Sequence, residues 1–286
     1  MAEVPSVWTV LSMMEWATAF FEEKNIRSPR LSIEWLLAET LSVKRLDLYM
    51  LYDRPLSEDE LNLLRPMVKR RALHEPLQYI TGETEFYKAT IKVEPGVLIP
   101  RPETEQLVEL VLGEHGLQEN LKVLDIGTGS GCIPIALKSQ QPSWKVYATD
   151  ISVDALGIAK KNATLNEVNI TFLKDDILNP SYFEPDEFFD LIISNPPYIL
   201  KEEKEILDEE VKKYEPERAL FCSSTEQMYG GIQKFARQHL QQKGELYLEL
   251  HEIHAEQVEK LFTEKDWQVH LEQDYDRKPR FLKASK

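Results

Sequence analysis

The chain has 286 residues, of which 42% are hydrophobic, and it carries a net charge of −15. The hydrophobic content excludes global disorder and is sufficient for a sizeable core. The negative charge argues against a nucleic-acid partner, because a surface of this sign repels phosphate backbones, and a basic protein partner would complement it better.

Residues 1–76 are predicted to form a small helical domain. The N-terminus lacks the basic start and continuous apolar segment of a signal peptide, and no segment has the length of a membrane span, so we expect a cytoplasmic protein. Apolar residues recur at helical spacing over 7–25 and 30–41, and Ser57 begins a capping-box pattern that indicates a further helix. The aromatic and methionine residues predicted to lie in the core are Trp8, Met13, Met14, Trp16 and Phe20.

Residues 77–98 alternate between apolar and polar side chains and contain Gly82 and Gly96, which predicts a β-hairpin linking two domains. A helix is then predicted to begin just after Pro102. Glu103 and Glu105 would lie in its first turn, where they complement the positive end of the helix dipole.

From residue 121 onward, apolar strands alternate with helical segments, which predicts an α/β fold with a mostly parallel sheet and helices on both faces. Ligands of such sheets bind beyond the carboxyl ends of the strands, near the point where the strand order reverses. The charged segment 201–217 is typical of a solvated helix face. Because no Cys-x-x-Cys pattern occurs, Cys132 and Cys222 are predicted to be reduced thiols of a cytosolic protein.

A glycine-rich turn follows the first predicted strand of this region, in the sequence Val-Leu-Asp-Ile-Gly-Thr-Gly-Ser-Gly-Cys over 123–132. Glycine permits positive φ and lets the backbone approach a ligand closely. Asp150 lies 19 residues after Gly131, at the end of the next predicted strand. A carboxylate in that place can accept both hydroxyls of a ribose, so the turn predicts a nucleoside-containing cofactor.

This cofactor is predicted to lack phosphate. The spacing G-x-G-x-G differs from the dinucleotide fingerprint, and no basic residue lies between Leu124 and Leu137 to neutralise a pyrophosphate. We therefore predict S-adenosylmethionine, with Asp125 near its cationic methionyl end. Asp175 or Asp176 could reach the adenine amino group, with Ile177 against the ring, although solvated loop acids are an equally good interpretation.

The sequence Asn195-Pro196-Pro197-Tyr198 follows a buried strand that ends at Ile193. The prolines fix φ and remove two backbone donors, which leaves the Pro196 carbonyl and the Asn195 side-chain oxygen as acceptors. Two acceptors can hold both hydrogens of an NH₂ group while Tyr198 lies against its planar face. This arrangement directs the nitrogen lone pair at a methyl donor without an ionised base. We therefore predict methyl transfer to a planar NH₂ group, with Asn195 and Pro196 as the catalytic residues.

The chain as a whole resembles the HemK/PrmC family of protein-(glutamine-N5) methyltransferases, which modify class-1 peptide chain release factors. The resemblance covers nearly the whole length and depends on residues 75–87, 97–109, 123–132, 148–152, 194–199 and 214–220. Many amino-methyltransferases share the glycine turn and the Asn-Pro-Pro-Tyr sequence. The Leu-Ile-Pro-Arg-Pro-Glu-Thr-Glu sequence over 98–105, together with a helical N-terminal domain, is far more specific.

The resemblance implies a Rossmann-like class I methyltransferase domain over 99–286, with a mostly parallel seven-stranded sheet, and a helical domain that recognises the substrate. The implied substrate is the glutamine of a Gly-Gly-Gln loop in a release factor. We expect a monomer that contacts neither nucleic acid nor membrane. The implied cofactor-binding residues are Gly127, Thr128, Gly129, Ser130, Gly131, Asp150, Asp176, Ile177 and Asn195. The implied substrate-binding residues are Phe86, Pro100, Arg101, Asn195, Pro196, Pro197 and Tyr198.

Three segments depart from the family pattern: residues 221–227, His251 where a glycine is expected after Glu249, and residues 274–281. We expect them to lie away from the two site motifs and to concern details of the substrate loop. His251 and His254 form a His-x-x-His pair, but no third ligand is apparent in the sequence and methyl transfer needs no metal, so no metal site is predicted.

Two other functions remain open from the sequence. An adenine-N6 or other nucleic-acid amino-methyltransferase would use the same Asn-Pro-Pro-Tyr chemistry, but it needs a basic groove, and the Lys/Arg cluster over 68–74 is the only one in the sequence. A non-catalytic binding module would bind the cofactor without turnover, but neither predicted site lacks a visible component.

Overall fold

The computed structural model describes residues 7–286, which form two compact units. The first unit contains the described residues up to Gly82 together with Asp208–Tyr214, and the second contains Glu83–Leu207 and Glu215–Lys286. The start of the predicted domain 1–76 lies outside the described residues. The return of a late segment to the helical unit is not indicated by the sequence.

Helices and strands occupy most of the described chain. The α-helices are α1 (Val10–Glu23), α2 (Pro29–Leu41), α3 (Glu58–Ala72), α4 (Leu77–Thr81), α5 (Pro102–His115), α6 (Cys132–Gln140), α7 (Val153–Leu165), α8 (Glu209–Tyr214), α9 (Glu217–Leu220), α10 (Thr225–His239) and α11 (Ala255–Thr263). The strands are β1 (Glu83–Phe86), β2 (Ala89–Lys92), β3 (Lys122–Ile126), β4 (Lys145–Asp150), β5 (Thr171–Lys174), β6 (Phe189–Ser194), β7 (Ile199–Leu200), β8 (Phe221–Cys222), β9 (Leu240–Glu249), β10 (Gln268–Gln273) and β11 (Pro279–Ser285). Short 3-10 helices cover Arg45–Met50, Lys201–Ile206 and Glu252–His254.

Helix α3 begins at the predicted capping box. The Ser57 hydroxyl accepts the Glu60 N–H at 3.2 Å, and the Glu60 carboxylate accepts the Ser57 N–H at 2.8 Å. Two otherwise unsatisfied donors are thereby bonded, which stabilises the helix by about 1 kcal/mol.

The helical unit has its own apolar core, as the sequence predicts. Met13 and Met14 are buried in it, and Trp8, Trp16 and Phe20 are partly buried and pack against it. The helical spacing of the apolar residues therefore predicts this core correctly.

The predicted hairpin is present, but only over Glu83–Lys92, where β1 and β2 pair antiparallel. The prediction of strand structure from residue 77 is wrong, because Leu77–Thr81 is helical. Pro76 precedes the helix, Gly82 ends it with a φ of 81°, and its side chains Tyr79 and Ile80 are buried. Burial of one helical face therefore overrides the β-branched and aromatic composition of this segment.

Helix α8 is joined to the helical unit through a buried arginine. Arg71 on α3 is 3% exposed, and its guanidinium forms two hydrogen bonds with the Glu210 carboxylate, at 2.7 and 3.1 Å. Glu215, next to this segment, is also buried. The prediction of a solvated charged face is therefore wrong for these two glutamates.

The second unit is built on a seven-stranded sheet with the order β10-β11-β9-β6-β3-β4-β5. Its strands are parallel except for β11, which pairs antiparallel with both of its neighbours. This confirms the predicted mostly parallel sheet. The chain runs from β3 through β4 to β5 and then returns to the other side of β3 with β6. The strand order therefore reverses between β3 and β6, which is where a ligand is expected.

Two asparagines hold the hairpin to the rest of the sheet unit. Asn166 accepts the Thr90 N–H at 3.2 Å and donates to the Thr90 carbonyl at 2.8 Å. Asn162 on α7 is fully buried, accepts the Lys92 N–H at 2.9 Å and donates to the Lys92 carbonyl at 3.0 Å. It also donates to the Ser130 carbonyl at 2.9 Å. The same side chain thus links the hairpin to the glycine-rich turn.

Over residues 7–286, the helices are too short or too polar for any of them to cross a bilayer.

Candidate active site

A cavity of about 580 Å³ lies at the carboxyl ends of the central strands of the sheet unit. Its walls come from the ends of β3, β4 and β6, from the segment after β5, from residues 96–98, and from residues 216–232. The cavity thus occupies the point where the strand order reverses.

The glycine turn forms one wall of this cavity. Gly127 and Gly129 line it, with φ values of 74° and 54° that residues with a Cβ rarely adopt. Gly131 has a φ of 82° but packs against helix α7, where an added Cβ would lie 3.0 Å from Ala159. Thr128, Ser130 and Gly131 are not among the described residues that line the cavity. Of the five residues predicted to contact the cofactor over 127–131, only Gly127 and Gly129 therefore lie at the cavity surface.

Asp150 lines the cavity at the end of β4. Its carboxylate accepts the Gly129 N–H at 2.9 Å and the Ser152 N–H at 2.8 Å. Burial raises its pKa, and these backbone hydrogen bonds oppose the rise. The carboxylate is thus fixed to the glycine turn and still has lone pairs for a ligand hydroxyl.

Asp125 lies beneath the glycine turn with no exposed surface. Neither of its carboxylate oxygens has a hydrogen-bond partner within residues 7–286, and burial raises its pKa to about 7. A buried carboxylate without a partner is costly. Asp125 is not among the described residues that line the cavity, so its place near the methionyl end of the cofactor stays a prediction.

The segment after β5 also lines the cavity, through Asp175, Asp176, Ile177 and Leu178. Asp176 accepts the Leu178 N–H at 3.0 Å, and Asp175 accepts the Ser181 N–H at 3.0 Å. Both acids are therefore held by local backbone donors at the cavity edge.

The Asn-Pro-Pro-Tyr turn forms another wall of the cavity. Asn195, Pro196 and Pro197 line the cavity, whereas Tyr198 is not among the lining residues of the described chain. The Asn195 Nδ2 donates to Thr104 Oγ1 at 3.0 Å, and the Tyr198 hydroxyl donates to the Glu249 carboxylate at 3.3 Å. The Asn195 amide is therefore held from the side that faces α5.

Arg101 lies outside the cavity lining of the described chain, as do Phe86 and Pro100. Phe86 is fully buried in the hairpin. The Arg101 guanidinium forms an ion pair with Glu215, whose carboxylate also accepts the Ile99 N–H at 3.3 Å. Arg101 thus anchors the segment that carries the 216–232 wall, a role that the sequence does not indicate.

The segments that depart from the family pattern lie closer to the site than expected. Residues 221–224 and Gln227 line the cavity. The ring of His251 lies edge-on to the Tyr198 ring, with centroids 5.7 Å apart. The expectation that these segments lie away from the site motifs is therefore wrong for both of them.

The His-x-x-His pair has a third potential ligand that the sequence does not show. Donor atoms of Glu203, His251 and His254 lie within 4.8 Å of one another. However, His251 Nδ1 accepts the Ile253 N–H at 3.2 Å, and the Glu203 carboxylate accepts the Leu200 N–H at 2.7 Å. A metal ion at this cluster would have to compete with backbone hydrogen bonds.

Both cysteines are free and buried. Cys222 lines the cavity, and burial raises the pKa of its thiol, which keeps it protonated.

Comparison with known proteins agrees with these features. The chain matches the family models PrmC N-terminal domain over residues 12–82 and methyltransferase small domain over residues 103–213. The release factor glutamine methyltransferase of Chlorobaculum tepidum is 40% identical over 96% of this chain and 97% of its own length. That of Geobacter sulfurreducens is 40% identical over 92% of this chain and 91% of its own. Among solved structures, the ribosomal protein L11 methylase of Lactobacillus delbrueckii subsp. bulgaricus is 25% identical, with a TM-score of 0.48, over 68% of this chain and 84% of that one.

Proposed function

This chain belongs to the release factor glutamine methyltransferases, and from that premise we propose that it methylates the glutamine of the Gly-Gly-Gln motif in a class-1 peptide chain release factor. The methyl group goes from S-adenosylmethionine to the side-chain amide nitrogen, and the modification modulates translation termination.

The main observation in support of this proposal is that both predicted motifs line one cavity. Gly127, Gly129 and Asp150 line it, and so do Asn195 and Pro196. A methyl donor held by the first group would face an amide held by the second. The cavity volume of about 580 Å³ is in the range of small-molecule sites.

Residues at the first wall suit S-adenosylmethionine. Gly127 and Gly129 expose backbone to the ligand, and the Asp150 carboxylate can accept the ribose hydroxyls. Asp176 and Ile177 line the cavity and are assigned to the adenine, and the buried Asp125 carboxylate would attract a cationic group in the cavity through space. When bound, this cofactor supplies a methyl group on a positively charged sulfur.

Residues at the second wall orient the substrate amide. The Asn195 Oδ1 and the Pro196 carbonyl each accept one hydrogen of the glutamine NH₂, which directs the nitrogen lone pair toward the methyl carbon. As the nitrogen formed its bond to that carbon, the carbon–sulfur bond of the donor would break and its electron pair would remain on a neutral thioether sulfur. The methylated nitrogen would then release one proton and return to a neutral amide. Pro196 and Pro197 stiffen the turn, so the acceptors are placed before the substrate arrives.

The family resemblance also implies Phe86, Pro100, Arg101 and Tyr198 as substrate-binding residues. None of the four lines the cavity of the described chain, so we assign them to support of the residues that do. The helical unit is assigned to recognition of the release factor body. Release factors bind RNA and need basic surfaces, and the net charge of −15 complements such a surface. We assign a cytoplasmic monomer that contacts neither nucleic acid nor membrane.

The test is transfer of a labelled methyl group to a release factor that carries either Gln or Ala in its Gly-Gly-Gln loop. We expect label only on the Gln form, with the modified residue located by peptide mass spectrometry. Equal labelling of both forms would contradict the proposal. Labelling of RNA or DNA in place of the protein would favour a nucleic-acid amino-methyltransferase.

A further inference from the structure

Glu249 is a buried acid next to the proposed catalytic turn. It ends strand β9, which neighbours β6 in the sheet, and it is 1% exposed. Its carboxylate accepts hydrogen bonds from Thr104 Oγ1 at 2.7 Å and from the Tyr198 hydroxyl at 3.3 Å. Burial of an ionisable group costs free energy, so the presence of an acid at this position calls for a functional explanation.

The first of these bonds continues to the catalytic amide. Thr104 is buried in the first turn of α5, and its Oγ1 receives the Asn195 Nδ2 hydrogen at 3.0 Å. A hydroxyl has a single hydrogen to donate. Since Thr104 gives that hydrogen to the Glu249 carboxylate, its oxygen can only accept from Asn195.

This direction of hydrogen-bond donation determines which end of the Asn195 amide faces the cavity. With the amide turned over, Oδ1 would meet the lone pairs of Thr104 Oγ1, and the amide hydrogens would lose their partner. Two facing acceptors repel each other, so the turned orientation is disfavoured. The amide NH₂ therefore faces Thr104, and Oδ1 is left for the substrate.

We propose that Thr104 and Glu249 are positioning residues that orient the Asn195 amide for methyl transfer. Glu249 determines the direction of the Thr104 hydroxyl, and Thr104 determines the direction of the amide. Neither residue lines the cavity within the described chain, so both act through Asn195. The inference rests on the proposed function, because it gives Asn195 Oδ1 the task of holding a substrate hydrogen.

Glu249 is itself held firmly by the sheet. Its carbonyl accepts the Tyr229 hydroxyl at 2.9 Å, and the next N–H, of Leu250, donates to the Arg280 carbonyl at 2.8 Å. The Glu249 carboxylate accepts the Tyr198 hydroxyl as well as the Thr104 hydroxyl. One group on a rigid strand therefore aligns both polar side chains of the Asn-Pro-Pro-Tyr turn.

A pair of substitutions at Thr104 tests the inference. Thr104→Val keeps the shape and removes the hydroxyl, whereas Thr104→Ser keeps the hydroxyl. We expect kcat to fall about 100-fold in Thr104→Val, with the cofactor Kd and the release factor KM changed by less than about threefold, because only the orientation of the amide is lost. Thr104→Ser should restore kcat to within about threefold of the wild type.

A second readout needs no substrate and so separates this inference from the proposed function. The Asn195 side-chain NH₂ resonances, identified by their loss in Asn195→Ala, should have the same nitrogen and proton shifts in wild type and Thr104→Ser. In Thr104→Val they should move toward the values of a free asparagine amide. Unchanged shifts in Thr104→Val would overturn the inference, and so would equal turnover of the Val and Ser variants. Failure of the wild type to methylate a release factor would instead count against the proposed function.

Discussion

The two walls of the cavity are built in different ways. At the glycine turn, the functional groups are held by near neighbours in the chain or by the adjacent strand: Asp150 binds the Gly129 and Ser152 N–H groups. At the Asn-Pro-Pro-Tyr turn, the support comes from far away: Asn195 contacts Thr104 across 91 residues, and Tyr198 contacts Glu249 across 51. The wall that we propose for the cofactor, here the cofactor wall, is therefore preorganised by backbone hydrogen bonds. The wall that we propose for the substrate, the substrate wall, is preorganised by tertiary packing, so the two should respond differently to substitution.

The largest effect should come from Asn195→Ala. Removing one of the two acceptors should lower kcat on the order of 10³-fold, while the cofactor Kd measured by calorimetry changes only a few-fold. Asn195→Asp is a matched variant that keeps an oxygen but loses the donor to Thr104. Near-normal turnover of Asn195→Ala would show that the turn does not orient the substrate amide.

Asp150→Ala should show the opposite pattern. Loss of the acceptors for the ribose hydroxyls should raise the cofactor Kd about 100-fold, whereas kcat at saturating cofactor should change little. Asp150→Asn keeps one acceptor oxygen and should weaken binding less. A fall in kcat with an unchanged cofactor Kd would contradict the assignment of Asp150 to cofactor binding.

The substrate wall should also respond to pH through Glu249. Burial raises its pKa to about 7, opposed by Thr104, Arg280 and Tyr198, while Glu103 adds to the rise. Protonation, which increases as pH falls, would give the carboxyl a hydrogen of its own and release the Thr104 hydroxyl to turn toward Asn195. We expect kcat to fall about tenfold per pH unit below the pKa.

Glu249→Gln is the control for this pH profile, because glutamine does not titrate. The Asp125 carboxyl also has a pKa of about 7, so kcat must be measured at saturating cofactor. We expect a lower but flat kcat in Glu249→Gln over the same range. A profile in the variant with the wild-type slope would assign the titration to another group.

The smallest effect should come from Tyr198→Phe, which keeps the ring and removes only the hydrogen bond to Glu249. A neutral donor bonded at 3.3 Å contributes about 1 kcal/mol, so kcat should fall about fivefold. A loss as large as that of Thr104→Val would show that Tyr198, and not Thr104, transmits the influence of Glu249.

The sequence predicts the cofactor wall better than the support of the substrate wall, and the reason is physical. Strand periodicity, glycines with positive φ and the carboxylate after the next strand are local signals, and they locate Gly127, Gly129 and Asp150. Thr104 resembles any polar residue in a first helical turn, and its bond to Glu249 spans 145 residues. The available signal is Glu249 itself, an acid between two leucines, Leu248 and Leu250, at the carboxyl end of a strand.

The fold shows the same difference between features set by local sequence and features set by tertiary packing. The mostly parallel sheet and the Ser57 capping box depend on local patterns and are predicted correctly, whereas the number of seven strands is implied by the family resemblance. Helix α4, the pairing of Arg71 with Glu210 and the contribution of residues 221–224 to the cavity depend on which faces become buried. Those choices are made by tertiary packing, and a single sequence does not display them.

The most direct test of the account is a crystal structure with S-adenosylhomocysteine and a glutamine ligand bound together. We predict that Asn195 Oδ1 and the Pro196 carbonyl both lie within about 3.2 Å of the glutamine amide nitrogen, with the Asn195 NH₂ bonded to Thr104 Oγ1. A ligand amide held by other groups, or an Asn195 amide turned so that its NH₂ faces the glutamine, would contradict it.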